Sequence, residues 1–198
     1  MIFEHIKAGI EVTDEEFDDI YPYEIQDLSK RHFTPISIAK MAAEYLVDAP
    51  NTRVLDIGSG VGKFCMIGSA HTEGHFTGVE QRENLHLLSK EIAEEYELSN
   101  LKFIHSNIID IDFTAFDAFY FFNSFFENIL KEESIDKEIE LNKDLFFIYS
   151  VYVRKQLAKM PIGTKLATYF AYSEEIPLNY TIIETHLEGK FKLWEKTL

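Results

Sequence analysis

The sequence predicts an α/β fold: a mostly parallel sheet with helices on both faces and a C-terminal antiparallel hairpin. Three observations carry this prediction. The first is Arg53-Val54-Leu55-Asp56-Ile57-Gly58-Ser59-Gly60-Val61-Gly62-Lys63-Phe64. Here a short apolar strand meets an acid, then a loop with glycine at every second position, then a helical pattern. The second is His75-Phe76-Thr77-Gly78-Val79-Glu80, another apolar strand that ends in an acid. The third is the alternation of strand and helix patterns up to a final pair of strands, residues 180–186 and 190–194, joined through Glu188-Gly189. Alternation calls for a parallel sheet with helical crossovers, and a terminal hairpin adds an antiparallel edge.

In chain order, residues 1–31 read as an acidic, irregular or helical arm broken at Tyr21-Pro22-Tyr23. Thr34 is placed to cap a helix over 36–47, with Pro35 at its first position. Strand one covers 53–57 and its helix 62–71. Strand two covers 75–79, and a polar helix runs over 83–96. Strand three is 101–105 and strand four 116–122, where Phe116-Asp117-Ala118-Phe119-Tyr120-Phe121-Phe122 is apolar enough for burial on both faces. A long helix is expected over much of 131–159, ended by Met160-Pro161-Ile162-Gly163. Strand five follows over 163–170. The organisation expected is an N-terminal arm or cap over 1–50 and a ligand-binding domain over 51–198.

The glycine loop carries the chemistry. Glycines let a backbone turn sharply and approach a ligand closely, and the following helix start offers unpaired N–H groups to an anion. Asp56, just before the loop, would face a cation or hydroxyl. A P-loop fails twice: position 57 is Ile57 rather than glycine, and Phe64 follows Lys63 where Ser or Thr should hold Mg²⁺. A dinucleotide fingerprint fails because its third glycine would fall on Lys63. A carboxylate about 20 residues beyond a glycine loop is the usual ribose ligand of a nucleoside site, and Glu80 stands there. An anionic point beside a cationic or hydroxylated one fits S-adenosylmethionine (SAM).

Val54-Leu55-Asp56-Ile57-Gly58-Ser59-Gly60-Val61-Gly62 resembles the first motif of the class I SAM-dependent methyltransferases, and Gly78-Val79-Glu80 resembles the second. The same segments are similar to a lysine-methylating branch of that family. The resemblance extends over most of the chain after about position 33 and implies a Rossmann-like sheet, methyl transfer and SAM as cofactor. It implies that Asp56, Gly58, Ser59 and Gly60 hold the methionine part and that Glu80, with Gln81 beside it, holds the ribose. Ser106-Asn107 stands where the family commonly has Gly-Asp, so Asn107 would accept the adenine amino group, and Ile108 would pack on the adenine face or in the core. Thr34, in Phe33-Thr34-Pro35, would close over the cofactor's amino-acid end. Asn123-Ser124-Phe125-Phe126 is similar to the Asn-Pro-Pro-Phe/Tyr motif of amine-methylating members, without its prolines. Asn123 is therefore the candidate catalytic residue, or else Asn123 or Ser124 caps the next helix. The aromatic cluster Phe119 to Phe126 reads mainly as core, with pocket lining by Phe125 and Phe126 as the alternative. A rival reading is a SAM-binding module that has lost transfer and acts as a sensor or scaffold.

Composition sets the remaining expectations. The formal net charge is −15, which argues against generic nucleic-acid binding because phosphate neutralisation supplies most non-specific affinity. The substrate expected is a small molecule or a protein; the acids Glu11, Asp14, Glu15, Glu16, Asp18, Asp19, Glu24 and Asp27 read first as a solvated face and otherwise as a rim that attracts a cationic substrate. No metal site is expected from seven scattered histidines and one cysteine. Cys65 reads as core. With no secretory signal or long apolar span visible, a cytoplasmic protein without membrane contact is expected.

Overall fold

The computed structural model describes residues 2–130, 132 and 134–198. Seven strands form one sheet: β1 (Arg53–Ile57), β2 (His75–Glu80), β3 (Leu101–His105), β4 (Ala118–Phe122), β5 (Lys165–Tyr169), β6 (Tyr180–His186) and β7 (Phe191–Lys196). Their spatial order is β3-β2-β1-β4-β5-β7-β6. The first five pair with one another in parallel; β7 runs antiparallel between β5 and β6. The chain builds outward from β1 through β2 to β3, then returns to place β4 on the other side of β1. That reversal opens a crevice at the carboxyl ends of β1 and β4, where open α/β sheets bind ligands.

Strand alternation sorts side chains onto two faces. Val54, Ala118 and Tyr120 enter a core with helices α4 (Ile36–Leu46), α5 (Lys63–His71) and α6 (Glu83–Glu95). Leu55, Ile57, Phe119 and Phe121 enter a second core under α7 (Lys143–Lys159). Asp56 and Tyr120 are register partners and share the first face.

The N-terminal arm is three short helices, α1 (Ile2–Lys7), α2 (Asp14–Asp18) and α3 (Tyr23–His32). Phe3, Ile6 and Phe17 join the first core. Helix α2 starts with a capping box between Thr13 and Glu16. The acidic face is only partly solvated. Asp14 and Asp18 each stand 2.7 Å from the buried Lys63 Nζ, which also donates to Ser29 Oγ at 3.1 Å.

Two expectations need correction. Thr34 does not cap α4; Pro35 occupies that position, and the Ile36 N–H is satisfied by Asp14 Oδ1 at 3.0 Å. The Thr34 hydroxyl instead shares a 2.9 Å hydrogen bond with the buried Tyr120 hydroxyl, and a buried tyrosine hydroxyl usually finds such a partner. The helix expected over much of 131–159 starts only at Lys143, where Asn142 Oδ1 accepts the Asp144 N–H. Positions 131 and 133 lie outside the described residues.

Candidate active site

A cavity of about 380 Å³ lies at the carboxyl ends of β1, β2 and β4, within the range that holds a small-molecule cofactor. Thr34, Asp56, Gly58, Ser59, Gly60, Glu80, Gln81, Asn107, Ile108 and Asn123 all line it, as do Phe125 and Phe126. Residues from five separate segments are thus brought to one place by the strand order.

The loop after β1 turns through left-handed Gly58 (φ 76) and Gly62 (φ 79). A Cβ on Gly58 would lie 2.5 Å from Ser124 Cβ, so glycine lets the loop pack against the exit of β4. The Ser59 N–H donates to the Val79 carbonyl at 2.9 Å and the Gly62 N–H to the Ser59 carbonyl at 2.8 Å. Ser59 Oγ is buried without a hydrogen-bond partner among the described residues.

Glu80 is buried, and burial pushes its carboxyl up from the ordinary range. Backbone N–H groups hold it in place: Gly60 donates to Oε2 and Arg82 to Oε1, each at 2.9 Å. A carboxylate offers about four acceptor positions, so both oxygens retain capacity for hydroxyl donors. Asp56 is 3% exposed, and its pKa is pushed up to about 7, first by burial and further by the Glu80 charge. The Cys65 thiol, itself in the core, donates to Asp56 Oδ2 at 3.4 Å and works in the opposite direction.

Arg82 is a site residue that sequence reasoning missed. Its guanidinium is 3% exposed and reaches Glu127 at 2.7 Å and Asp136 at 3.0 Å. It therefore ties the segment after β4 to the strand that carries Glu80. Tyr149, from α7, was missed too; its hydroxyl takes a 2.8 Å hydrogen bond from Asn107 Nδ2. Asn107 Oδ1 accepts the Ile109 N–H at 3.2 Å, which leaves that carbonyl one further lone pair. Ile108 is 6% exposed and belongs to the second core while also lining the cavity.

Asn123 follows β4 with left-handed backbone (φ 39), and its Oδ1 is buried without a partner among the described residues. Neither it nor Ser124 caps a helix. The next turn (Phe126–Asn128) has Phe125 at its cap position, and Ser124 Oγ donates to the carbonyls of Ile57 and Phe122. Among the described residues no group of three or more His, Cys, Asp or Glu side chains could hold a metal ion.

Residues 48–166 match the sequence profile of a family described as a methyltransferase domain. The chain belongs to that methyltransferase family. Its fold is shared with an RNA methyltransferase from Salinibacter ruber solved with S-adenosyl-L-homocysteine (TM-score 0.57, 16% identity, 83% of this chain and 93% of that one). It is also shared with an rRNA methylase from Streptococcus thermophilus (TM-score 0.52, 14% identity, 82% and 93%). Over 64 residues the chain is 39% identical to the tRNA (guanine-N(7)-)-methyltransferase of Halalkalibacterium halodurans, a segment covering 31% of this chain and 29% of that relative. The match thus spans less than a third of the relative's length.

Membership of the SAM-dependent methyltransferases, the Rossmann-like sheet with its hairpin, and SAM as the family's cofactor agree with the sequence reading. The site also fits SAM on its own terms. Two buried carboxylates stand ready for cation and hydroxyl donors, and the buried Ser59 Oγ is still unpaired. The partner expectation is corrected. A small-molecule or protein acceptor without generic nucleic-acid binding does not stand against a tRNA methyltransferase relative and RNA methylases of the same fold. Net charge sums over the whole surface and does not by itself exclude local contact with a polyanion. Several of the acids counted are also engaged inside the protein, around Lys63 and Arg82. Among the described residues no helix is long and apolar enough to cross a membrane.

Proposed function

We propose that this methyltransferase transfers the methyl group of SAM to a nitrogen of an RNA base, with Asn123 orienting the acceptor. The substrate class rests on the likeness to the tRNA methyltransferase. The observation that carries the role of Asn123 is its buried, unpartnered Oδ1 in the same cavity as Asp56 and Glu80. An amide oxygen without a donor is a standing demand for an N–H group, and an amino-bearing base supplies one.

In this reading Asp56 and the loop over 58–60 hold the methionine end of the cofactor, with Thr34 closing over it. Glu80 and Gln81 hold the ribose, and Ile108 with Asn107 holds the adenine. When bound, SAM supplies an electrophilic methyl group on a sulfonium sulfur. The chain's contribution is orientation and exclusion of water: Phe33 and Thr34 from the arm, with Phe125 and Phe126 after β4, enclose the cavity. The arm over 1–50 thus acts as a cap on the domain over 51–198.

Radiolabelled SAM with fractionated tRNA and rRNA, followed by nucleoside analysis, tests the reading. Label should appear in a methylated base. Asn123→Ala should keep SAM affinity but lose transfer by about a hundredfold, the scale of a misplaced reactant. Glu80→Ala should weaken SAM binding by about 2–4 kcal/mol, at least thirtyfold, by calorimetry on folded protein. SAM bound normally with no RNA labelled would reject the substrate class. Full transfer by the Asn123 variant would reject its role.

A further inference from the structure

Phe122 of β4 and Tyr169 of β5 are register partners. The residues that follow them, Asn123 and Phe170, both adopt left-handed backbone, at φ 39 and φ 54. Asparagine tolerates that region; a bulky aromatic rarely enters it. At Phe170 the result is a large apolar ring left 43% exposed instead of joining either core. The ring lies 4.6 Å from the Tyr169 ring and 6.2 Å from that of Phe122, a cavity-lining residue. Lys190 Nζ stands 5.5 Å from the Phe170 ring centroid, and the Phe170 N–H donates to the Lys190 carbonyl at 2.8 Å. Tyr172, 46% exposed, lies 5.9 Å from the ring of Phe126, which also lines the cavity. Its N–H is held by the buried Glu175 at 3.0 Å. An aromatic surface thus runs from the cavity outward and ends at an ammonium group.

Phe170 belongs to neither hydrophobic core, so core packing does not account for this arrangement. Strained backbone persists where the surroundings enforce it, and it concentrates at ligand sites. Flat aromatic faces beside a lysine match an unstacked base and the phosphate next to it. We propose that Phe170, with Tyr172 and Lys190, is a stacking platform for a single-stranded RNA base adjacent to the one presented to Asn123. The platform rests on the RNA-methylation reading and adds to it the form of RNA bound: single-stranded, with at least one base splayed from its stack.

The test uses the full chain, S-adenosyl-L-homocysteine, and a fluorescein-labelled RNA dodecamer of mixed sequence, single-stranded or annealed to its complement. Anisotropy should show tighter binding of the single strand. Phe170→Gly, which suits left-handed backbone and removes the ring, should weaken that binding by about tenfold or more while thermal stability and cofactor affinity hold. Phe170→Trp should retain binding. Lys190→Ala should reduce the salt slope by about 0.7, the value for one single-strand phosphate. Unchanged binding by Phe170→Gly, equal affinity for the duplex, or no binding of the dodecamer by the natural chain would each overturn the platform. So would a loss of binding that merely tracks a loss of thermal stability. If total RNA is still methylated in those cases, the RNA reading survives and only the platform falls. If total RNA is never labelled, that reading falls on its own account.

Discussion

Asp56 and Glu80 show how burial sets the behaviour of single residues. Both carboxyls sit in low dielectric, and both titrate above their ordinary range. Glu80 is compensated by two backbone N–H donors and the nearby Arg82. Among the described residues Asp56 has the Cys65 thiol as its one hydrogen-bond donor, and its pKa stands at about 7. The sign of the linkage follows from the raised value. Between the unfolded pKa of about 4 and the folded value, the native state holds the proton more tightly than the unfolded chain. The contribution of Asp56 to the stability of the ligand-free protein therefore declines as pH climbs through that window, and is flat above it. A cationic ligand has the opposite preference, because it needs the ionised form. SAM affinity should rise by roughly tenfold per pH unit below pH 7 and level off above it. Calorimetry in buffers of different ionisation enthalpy should find close to one proton released per SAM on the acid side. Asp56→Asn should remove this rise near neutral pH. A pH-independent affinity in the natural chain would show that Asp56 does not face the cation.

At the scale of elements, the glycine loop, its two flanking acids and the alternation of strands and helices were legible because each is a local pattern. What escaped was set by partners far apart in the chain. Arg82 joins Glu127 and Asp136 only because the sheet order carries β4 back beside β1. Those two carboxylates lie in the segment ahead of α7, and the helix itself begins at Lys143 behind the Asn142 cap. The acidic arm was legible as a charge run, but its real engagement, Lys63 held by Asp14 and Asp18, needed the contact between α2 and α5. That latch makes its own prediction. Lys63→Ala leaves the buried Asp18 without its cation, which costs about 3–5 kcal/mol for a broken buried pair. Urea denaturation should show that loss, and SAM affinity should fall with it, since the arm also carries Phe33 and Thr34 into the cavity wall. Replacing both charges, Lys63→Met with Asp18→Leu, should recover most of the stability, because no buried charge is then stranded. A single variant within about 1 kcal/mol of the natural chain would show that the latch does not hold the arm, since a surface pair is worth no more than that.

For the whole molecule, the proposed RNA substrate requires a chain of net charge −15 to engage a polyanion. General electrostatic attraction is not available to it, so affinity has to come from stacking and from a few local cations such as Lys190 near the aromatic surface. This gives a quantitative signature. A protein that relies on six to ten phosphate contacts loses about 10³–10⁵ in affinity between 50 and 200 mM salt. If only two or three phosphates are neutralised, the slope of log affinity against log salt on a single strand is about −1.4 to −2.1, and the same salt change costs roughly tenfold. Titration of a single-stranded RNA at several salt concentrations reads the slope directly. A slope steeper than about −4 would require a broad basic footprint, and the picture of stacking with sparse phosphate contact would then have to be given up. A shallow slope together with tight binding would mean that the acidic surface acts as a filter. RNA lying flat along the protein would be repelled, while a base inserted at the aromatic mouth would keep its contacts with the charged backbone held largely clear of the acids.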